Sequence, residues 1–132
     1  MYTKEDIEAY VLFSCIKIRK DGNTVGKEKC MEENFKVIDN YLMVRMPEEI
    51  DHHKSSYISE NADKFIVCEK VGNVVFDFED TRFMDSSGIG IIMGRYKKIA
   101  CFGGKVFAIN ADHRIRHLLM MSGLHKIVEI MD

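Results

Sequence analysis

The chain has 132 residues, enough for one domain with its own hydrophobic core. A composition that is 46% hydrophobic and 30% charged, with a single proline, excludes a disordered or collagen-like chain. The formal net charge of −2 offers no basic surface for nucleic acid or an anionic membrane, and no apolar run reaches the roughly 20 residues that span a bilayer. Because the first residues also lack a signal-peptide pattern, we expect a cytoplasmic protein that binds neither nucleic acid nor membrane.

The first thirty residues differ in character from the rest of the chain. Residues 7–18 are apolar enough to form a short helix or strand, and a polar, turn-rich stretch at residues 19–23 follows them. We therefore divide the chain into an N-terminal extension, residues 1–33, and a folded domain, residues 34–132.

From Phe35 onward the hydrophobic pattern alternates between strand and helix periods. The predicted strands are 37–46, ending at Pro47, then 74–78, 105–109 and 126–131. The predicted helices run from Ser55 or Ser56 to Lys70, from Ser86 or Ser87 to Gly103-Gly104, and from Asp112 to Met121, with 79–84 as a connecting loop. Alternation of this kind predicts an α/β fold with a mostly parallel sheet and right-handed crossovers.

In such sheets, functional segments lie where a strand ends and the next helix begins. Asp85-Ser86-Ser87-Gly88 occupies a junction of this kind. A serine there has two interpretations. It can simply cap the helix, which contributes about 1 kcal/mol, or it can accept a phosphate whose charge the helix N-terminus accommodates.

Several other features have ordinary structural explanations. The later helix glycines, Gly90 and Gly94, are predicted to pack against the sheet, and Arg95 is predicted to be a solvated or docking residue. Four cysteines without C-x-x-C spacing are predicted to be reduced, buried thiols. Three methionines at helical spacing are predicted to face the core. They are Met93, Met120 and Met121.

Two catalytic alternatives have less support in the sequence than a non-catalytic role. His113 and His117 have the i, i+4 spacing of a metal-ligand pair, but no third ligand is evident in the sequence. A nucleophilic serine at 86 or 87 lacks both the Gly-x-Ser-x-Gly motif and a committed histidine base. We therefore expect no enzyme, no metal and no cofactor.

Residues 83–99, Phe-Met-Asp-Ser-Ser-Gly-Ile-Gly-Ile-Ile-Met-Gly-Arg-Tyr-Lys-Lys-Ile, resemble the signature segment of the sporulation anti-sigma factor antagonists of the STAS domain family. Further matches follow in order at residues 49–53, 75–78, 103–105 and 121–127. The resemblance implies a STAS-type open, mostly parallel β-sheet with an antiparallel edge strand, packed against helices. It covers about residues 35–132, and Met31 resembles the natural start of such a domain, so the extension is a candidate mis-assigned start.

The resemblance also implies a switching cycle. The unphosphorylated antagonist binds an anti-sigma factor that is itself a serine kinase, which frees a sporulation sigma factor. Phosphorylation of Ser86 ends the interaction, and a PP2C-type phosphatase resets it. Asp51, Asp85, Ser87 and Gly88 are expected around the phosphorylated serine on the partner-binding surface, and the free protein is expected to be a monomer. The alternatives are a STAS module of a general-stress or stressosome pathway and a nucleotide-sensing STAS domain.

Overall fold

The computed structural model describes residues 34–131. The strands are β1 (Phe35–Ile38), β2 (Tyr41–Arg45), β3 (Glu49–Ile50), β4 (Asn73–Asp77), β5 (Phe83–Met84), β6 (Val106–Ile109) and β7 (Glu129–Met131). The helices are α1 (His52–Cys68), α2 (Ser86–Ala100) and α3 (His113–Met121), followed by a short 3-10 helix, Leu124–Lys126. None of these helices combines the length and the apolar character required to cross a bilayer.

Five strands form the main sheet in the order β1-β2-β4-β6-β7. The β1–β2 pair is antiparallel, and the other three pairs are parallel. Because parallel neighbours need crossover connections, α1, α2 and α3 each lie between two parallel strands in the chain. The predicted open, mostly parallel sheet with an antiparallel edge strand is confirmed.

Two details of the strands differ from prediction. Residues 37–46 form parts of two strands and not one, because Asp39 adopts a left-handed conformation (φ 53°) that turns the chain into a hairpin. The predicted loop before α2 contains β5, which pairs in parallel with β3 as a separate two-stranded ribbon. Strands of two residues carry too little periodicity to be found in sequence.

The main core lies between the sheet and the helices. It includes Ile58, Ala62 and Ile66 of α1, together with Ile92 of α2 and Leu119 of α3. The stripe predicted for α1 is therefore confirmed, with Phe65 partly buried beside it. A second cluster of strand side chains occupies the opposite face of the sheet.

Several burial predictions are wrong. Met120 and Met121 are 51% and 73% exposed, because Ile115 and Leu119 take the core-facing positions of α3. Met93 does pack against the core.

The predicted burial also fails for two of the cysteines. Cys68 and Cys101 are exposed free thiols near the ends of their helices. Cys15 and Cys30, for which the same prediction was made, lie outside the described residues.

Candidate functional site

The β3–β5 ribbon brings two helix N-termini side by side. Ile50 is in register with Met84, and the Asp85 N–H donates to the Ile50 carbonyl at 3.2 Å. One residue beyond this pair, α1 begins after Asp51 and α2 begins after Asp85. We call the surface formed by Asp51, Asp85, Ser86 and Ser87 the paired-cap surface.

Asp85 is the N-cap of α2. Its carboxylate accepts a hydrogen bond from the Ser87 N–H at 2.8 Å, and its carbonyl accepts one from the Gly88 N–H at 3.0 Å. The prediction that Ser86 or Ser87 caps this helix is therefore wrong. A capping aspartate contributes about 1 kcal/mol to the stability of its helix. The serine hydroxyls are therefore not needed to cap α2.

Asp51 is the N-cap of α1. Its carboxylate accepts a hydrogen bond from the Lys54 N–H at 2.9 Å, so α1 begins before the predicted caps, Ser55 and Ser56. This hydrogen bond, helped by the nearby positive charges of Lys54 and His53, holds the pKa of Asp51 below its usual value. Asp51 is therefore ionised at neutral pH, beside the start of α2.

The two serines differ in accessibility. Ser86, the first residue of α2, is exposed, and within the described part of the chain its hydroxyl makes no hydrogen bond. Ser87 is half-buried and lines an open groove of about 440 Å³ between α1 and α2. The groove is lined mainly by small residues, namely Ser55, Ser56, Ser59 and Gly90 beside Ser87. Ser86 is therefore the more accessible of the two serines.

Gly88 belongs to the site as a packing residue. It is buried, and a Cβ placed on it would lie 2.2 Å from Met84 Cγ and 3.3 Å from Ile50 Cγ2. Only glycine lets the first turn of α2 rest this closely on the β3–β5 ribbon. The packing explanation predicted for Gly90 and Gly94 is wrong, because a Cβ at either position meets nothing within 4 Å.

Arg95 lies behind the site. Its side chain is buried, and Nε is 2.9 Å from Asp63 Oδ1 of α1, while Lys98 Nζ is 2.8 Å from the other Asp63 oxygen. The prediction of a solvated or docking residue is therefore wrong. Sequence alone could not pair residues on two helices. This cluster joins α1 to α2.

Phe83 is a surface residue that the sequence did not single out. It is 55% exposed, whereas its neighbour Met84 is 3% exposed, because adjacent residues of a strand point to opposite sides. Phe83 pairs with Glu49 in the ribbon, three residues before Ser86. It therefore adds an exposed aromatic ring next to the paired-cap surface.

The histidine pair does not assemble a metal site. His113 and His117 are both exposed on α3. Among residues 34–131, no group of three or more histidine, cysteine or acidic side chains lies close enough to hold a metal ion.

Comparisons with known proteins identify the family of the chain. Residues 33–132 match the STAS domain family model. The chain is 40% identical over 91 residues to an anti-sigma F factor antagonist of Paenibacillus polymyxa, covering 69% of this chain and 78% of the relative. Both the recognised family and the predicted fold are therefore confirmed.

Two solved structures share the fold. The anti-sigma factor antagonist SpoIIAA in its unphosphorylated form aligns with a TM-score of 0.68 and 25% identity, over 74% of this chain and 86% of SpoIIAA. The Bacillus cell fate determinant SpoIIAA in its phosphorylated form aligns with a TM-score of 0.61 and 27% identity, over 74% of this chain and 91% of that structure. The chain belongs to the STAS domain family, among its anti-sigma factor antagonists.

Proposed function

We propose that phosphorylation of Ser86 switches this antagonist off. The unphosphorylated chain binds an anti-sigma factor with serine kinase activity in the cytoplasm, and this releases a sporulation sigma factor. The kinase then modifies Ser86, the complex separates, and a PP2C-type phosphatase restores the binding form. The chain acts by docking and not by catalysis. The observation that carries the proposal is an exposed serine that directly follows the N-cap of α2, Asp85, while the N-cap of α1, Asp51, directly follows the strand that pairs with β5.

The switch follows from the local charge. A phosphoserine adds about 1.5–2 negative charges, next to the carboxylates of Asp51 and Asp85. Each carboxylate is hydrogen-bonded to a backbone N–H of its own helix, so neither can swing away without uncapping that helix. The negative charge therefore accumulates on the paired-cap surface.

The folded domain itself tolerates the phosphate. Ser86 is the first residue of α2, where the positive end of the helix dipole favours an anion. We propose that the partner surface offers no such compensation and carries negative charge of its own, and like charges brought together in an interface cost several kcal/mol. Since about 1.4 kcal/mol is a tenfold change in affinity, phosphorylation weakens binding roughly 100-fold or more.

The similarity to SpoIIAA supports a local switch. The unphosphorylated and phosphorylated forms of SpoIIAA each align with 74% of this chain, with TM-scores of 0.68 and 0.61, so the fold is present in both forms. A switch based on added charge needs no refolding. The docking surface that we propose is the paired-cap surface with Phe83 at its edge, supported from below by Gly88.

The first test is direct. We expect that incubation with the cognate anti-sigma kinase and ATP adds one phosphoryl group to the intact chain, and that peptide mapping places it on Ser86. Ser86→Ala abolishes the modification, whereas the matched control Ser87→Ala retains it. An unchanged intact mass, or a phosphate on Ser87, would contradict the proposal.

A second test separates charge from size. Ser86→Asp and Ser86→Asn introduce side chains of nearly equal volume that differ by one negative charge. We expect Ser86→Asp to bind the anti-sigma factor at least tenfold more weakly than wild type by calorimetry, with Ser86→Asn within about threefold of wild type. Equal losses in both variants would show that bulk, and not charge, governs docking.

A further inference from the structure

The first turn of α3 carries charges of the wrong sign for its position. This turn, residues 113–116, reads His-Arg-Ile-Arg. The N-terminus of a helix is the positive end of its dipole, so cationic side chains are unfavourable there. α2 follows the usual rule, with Lys97 and Lys98 in its last turn. Because residues that break a local rule are expected mainly at functional sites, the arginines of α3 point to a role in recognition.

The outer face of α3 joins this positive charge to exposed apolar side chains. Arg114, Leu118 and Met121 have i, i+4, i+7 spacing, which places them on one stripe of the helix. Leu118 and Met121 are 36% and 73% exposed, and Met120 beside them is 51% exposed. Single exposed apolar side chains are ordinary, but a contiguous group next to charge is typical of an interaction site. We call Arg114, Leu118, Met120 and Met121 the α3 surface.

The basic end of the α3 surface lies at the same edge of the main sheet as the paired-cap surface. α3 begins four residues after Ile109, the last residue of β6. The Ile109 carbonyl accepts a hydrogen bond at 3.0 Å from the N–H of Phe78, which directly follows β4. α3 also contacts β5, the strand that carries the exposed Phe83. A partner seated on the paired-cap surface therefore has the α3 surface within reach.

We propose that the α3 surface is a second contact for the anti-sigma factor and binds an acidic segment that also carries apolar side chains. This inference rests on the proposed function, because it assumes the same partner. A carboxylate of the segment pairs with the exposed Arg114 guanidinium, whose planar fork suits such an anion. Its apolar side chains cover Leu118, Met120 and Met121, and methionines adapt readily to a partner.

An anionic membrane matches the α3 surface less well. Membranes are recognised by clusters of about four to eight lysines and arginines. The sequence of α3 contains two arginines, and the chain as a whole has a net charge of −2. A few cations beside apolar side chains instead suit a protein segment, in which one carboxylate meets one guanidinium.

Charge reversal at two exposed cations tests the proposal and separates binding from folding. Arg114→Glu and Lys97→Glu change the net charge equally, but at opposite ends of a helix. The dipole favours an acid in the first turn of α3 and disfavours one in the last turn of α2. The melting temperature of Arg114→Glu should therefore not fall, whereas that of Lys97→Glu should fall slightly. By calorimetry, we expect Arg114→Glu to bind the anti-sigma factor about tenfold or more weakly, with Lys97→Glu within about twofold of wild type.

Two further measurements examine the chemistry of the contact. Met121→Gln keeps the length and the helix propensity of the side chain but removes its apolar character, and we expect its affinity to fall about threefold or more. Raising the NaCl concentration from about 50 to about 500 mM should weaken wild type more than Arg114→Glu, because the variant lacks the screened ion pair.

Ser86→Asp, measured in the same assay, distinguishes this inference from the proposed function. If Arg114→Glu binds like wild type while Ser86→Asp binds weakly, the α3 surface is not a contact and the proposed function stands. If Arg114→Glu binds weakly while Ser86→Asp binds like wild type, the α3 surface is supported and the switch is refuted. If Arg114→Glu instead abolishes self-association of the free chain or its binding to phosphatidylserine vesicles, with unchanged affinity for the anti-sigma factor, a second copy or a membrane occupies the surface and the proposal is overturned.

Discussion

The buried pair between α1 and α2 predicts an asymmetric response to mutation. Arg95 is 7% exposed, and its Nη1 has no hydrogen-bond partner among residues 34–131. Nε approaches Asp63 to 2.9 Å, but the two atoms are not aligned as a hydrogen bond. Burial lowers the pKa of Arg95 and Asp63 only partly opposes this, so the guanidinium is incompletely compensated.

Asp63→Ala removes the acid and leaves a desolvated guanidinium without its counter-charge. Loss of one partner from a buried pair costs about 3–5 kcal/mol. The Asp63 side chain is 27% exposed, so water reaches the site, and we expect the lower value of about 2–3 kcal/mol. Arg95→Met instead removes the costly charge and keeps an apolar stem, while Asp63 retains Lys98 at 2.8 Å. We expect this variant to lose no more than about 1 kcal/mol.

Urea denaturation at pH 7, followed by far-ultraviolet circular dichroism, measures both variants. With an m-value of about 1.5 kcal/mol/M, Asp63→Ala lowers the midpoint by about 1.3–2 M, and Arg95→Met lowers it by less than about 0.7 M. The double variant should resemble Arg95→Met, because the acid matters mainly while the guanidinium is present. Equal losses, or a larger loss from Arg95→Met, would refute the reasoning.

Three further predictions concern the paired-cap surface and its support. Gly88→Ala gains helix propensity of about 1 kcal/mol but overpacks a buried methionine at about 1–3 kcal/mol. Its denaturation midpoint should therefore lie below that of Gly90→Ala. The new methyl group of Gly90→Ala contacts nothing within 4 Å, so this variant gains about 0.5–1 kcal/mol of stability. The reverse order of midpoints would contradict the close packing of α2. Phe83→Ala should weaken binding of the anti-sigma factor at least tenfold without changing thermal stability, whereas Phe102→Ala, 75% exposed beyond the far end of α2, should change neither. Equal effects of the two phenylalanines on affinity would remove Phe83 from the interface. A hydrogen bond from the arginine that ends β2 lowers the pKa of Asp80. The ionised Asp80 side chain therefore stabilises the fold above the ordinary aspartate pKa, and this stabilisation is lost as the pH falls through the lowered pKa. The melting temperature of Asp80→Asn should lie below that of wild type at pH 7 and approach it as the pH falls below the ordinary aspartate pKa, and a gap that widens in acid would contradict this assignment.

Much of the fold could be predicted because it depends on local pattern. The apolar runs of β4 and β6 and the helical periods of α1 and α2 are visible in short windows of sequence. Asp112 caps α3 as predicted, since its carboxylate accepts from the Ile115 N–H at 2.9 Å. Each of these features involves residues within about one turn or one strand of each other.

The arrangement of the site could be predicted less well than the fold, because it depends on tertiary structure. The signature segment predicted Ser86 as the phosphorylated serine, and this stays a prediction. The ribbon that sets Asp51 beside Asp85 joins residues that are far apart in the chain. The same holds for the buried pair of Asp63 and Arg95, which no periodicity could reveal. Local sequence determined the three helices and the central strands of the main sheet. Only the packed sheet decided which charges meet, because contacts between distant residues depend on the register of strands and the approach of helices.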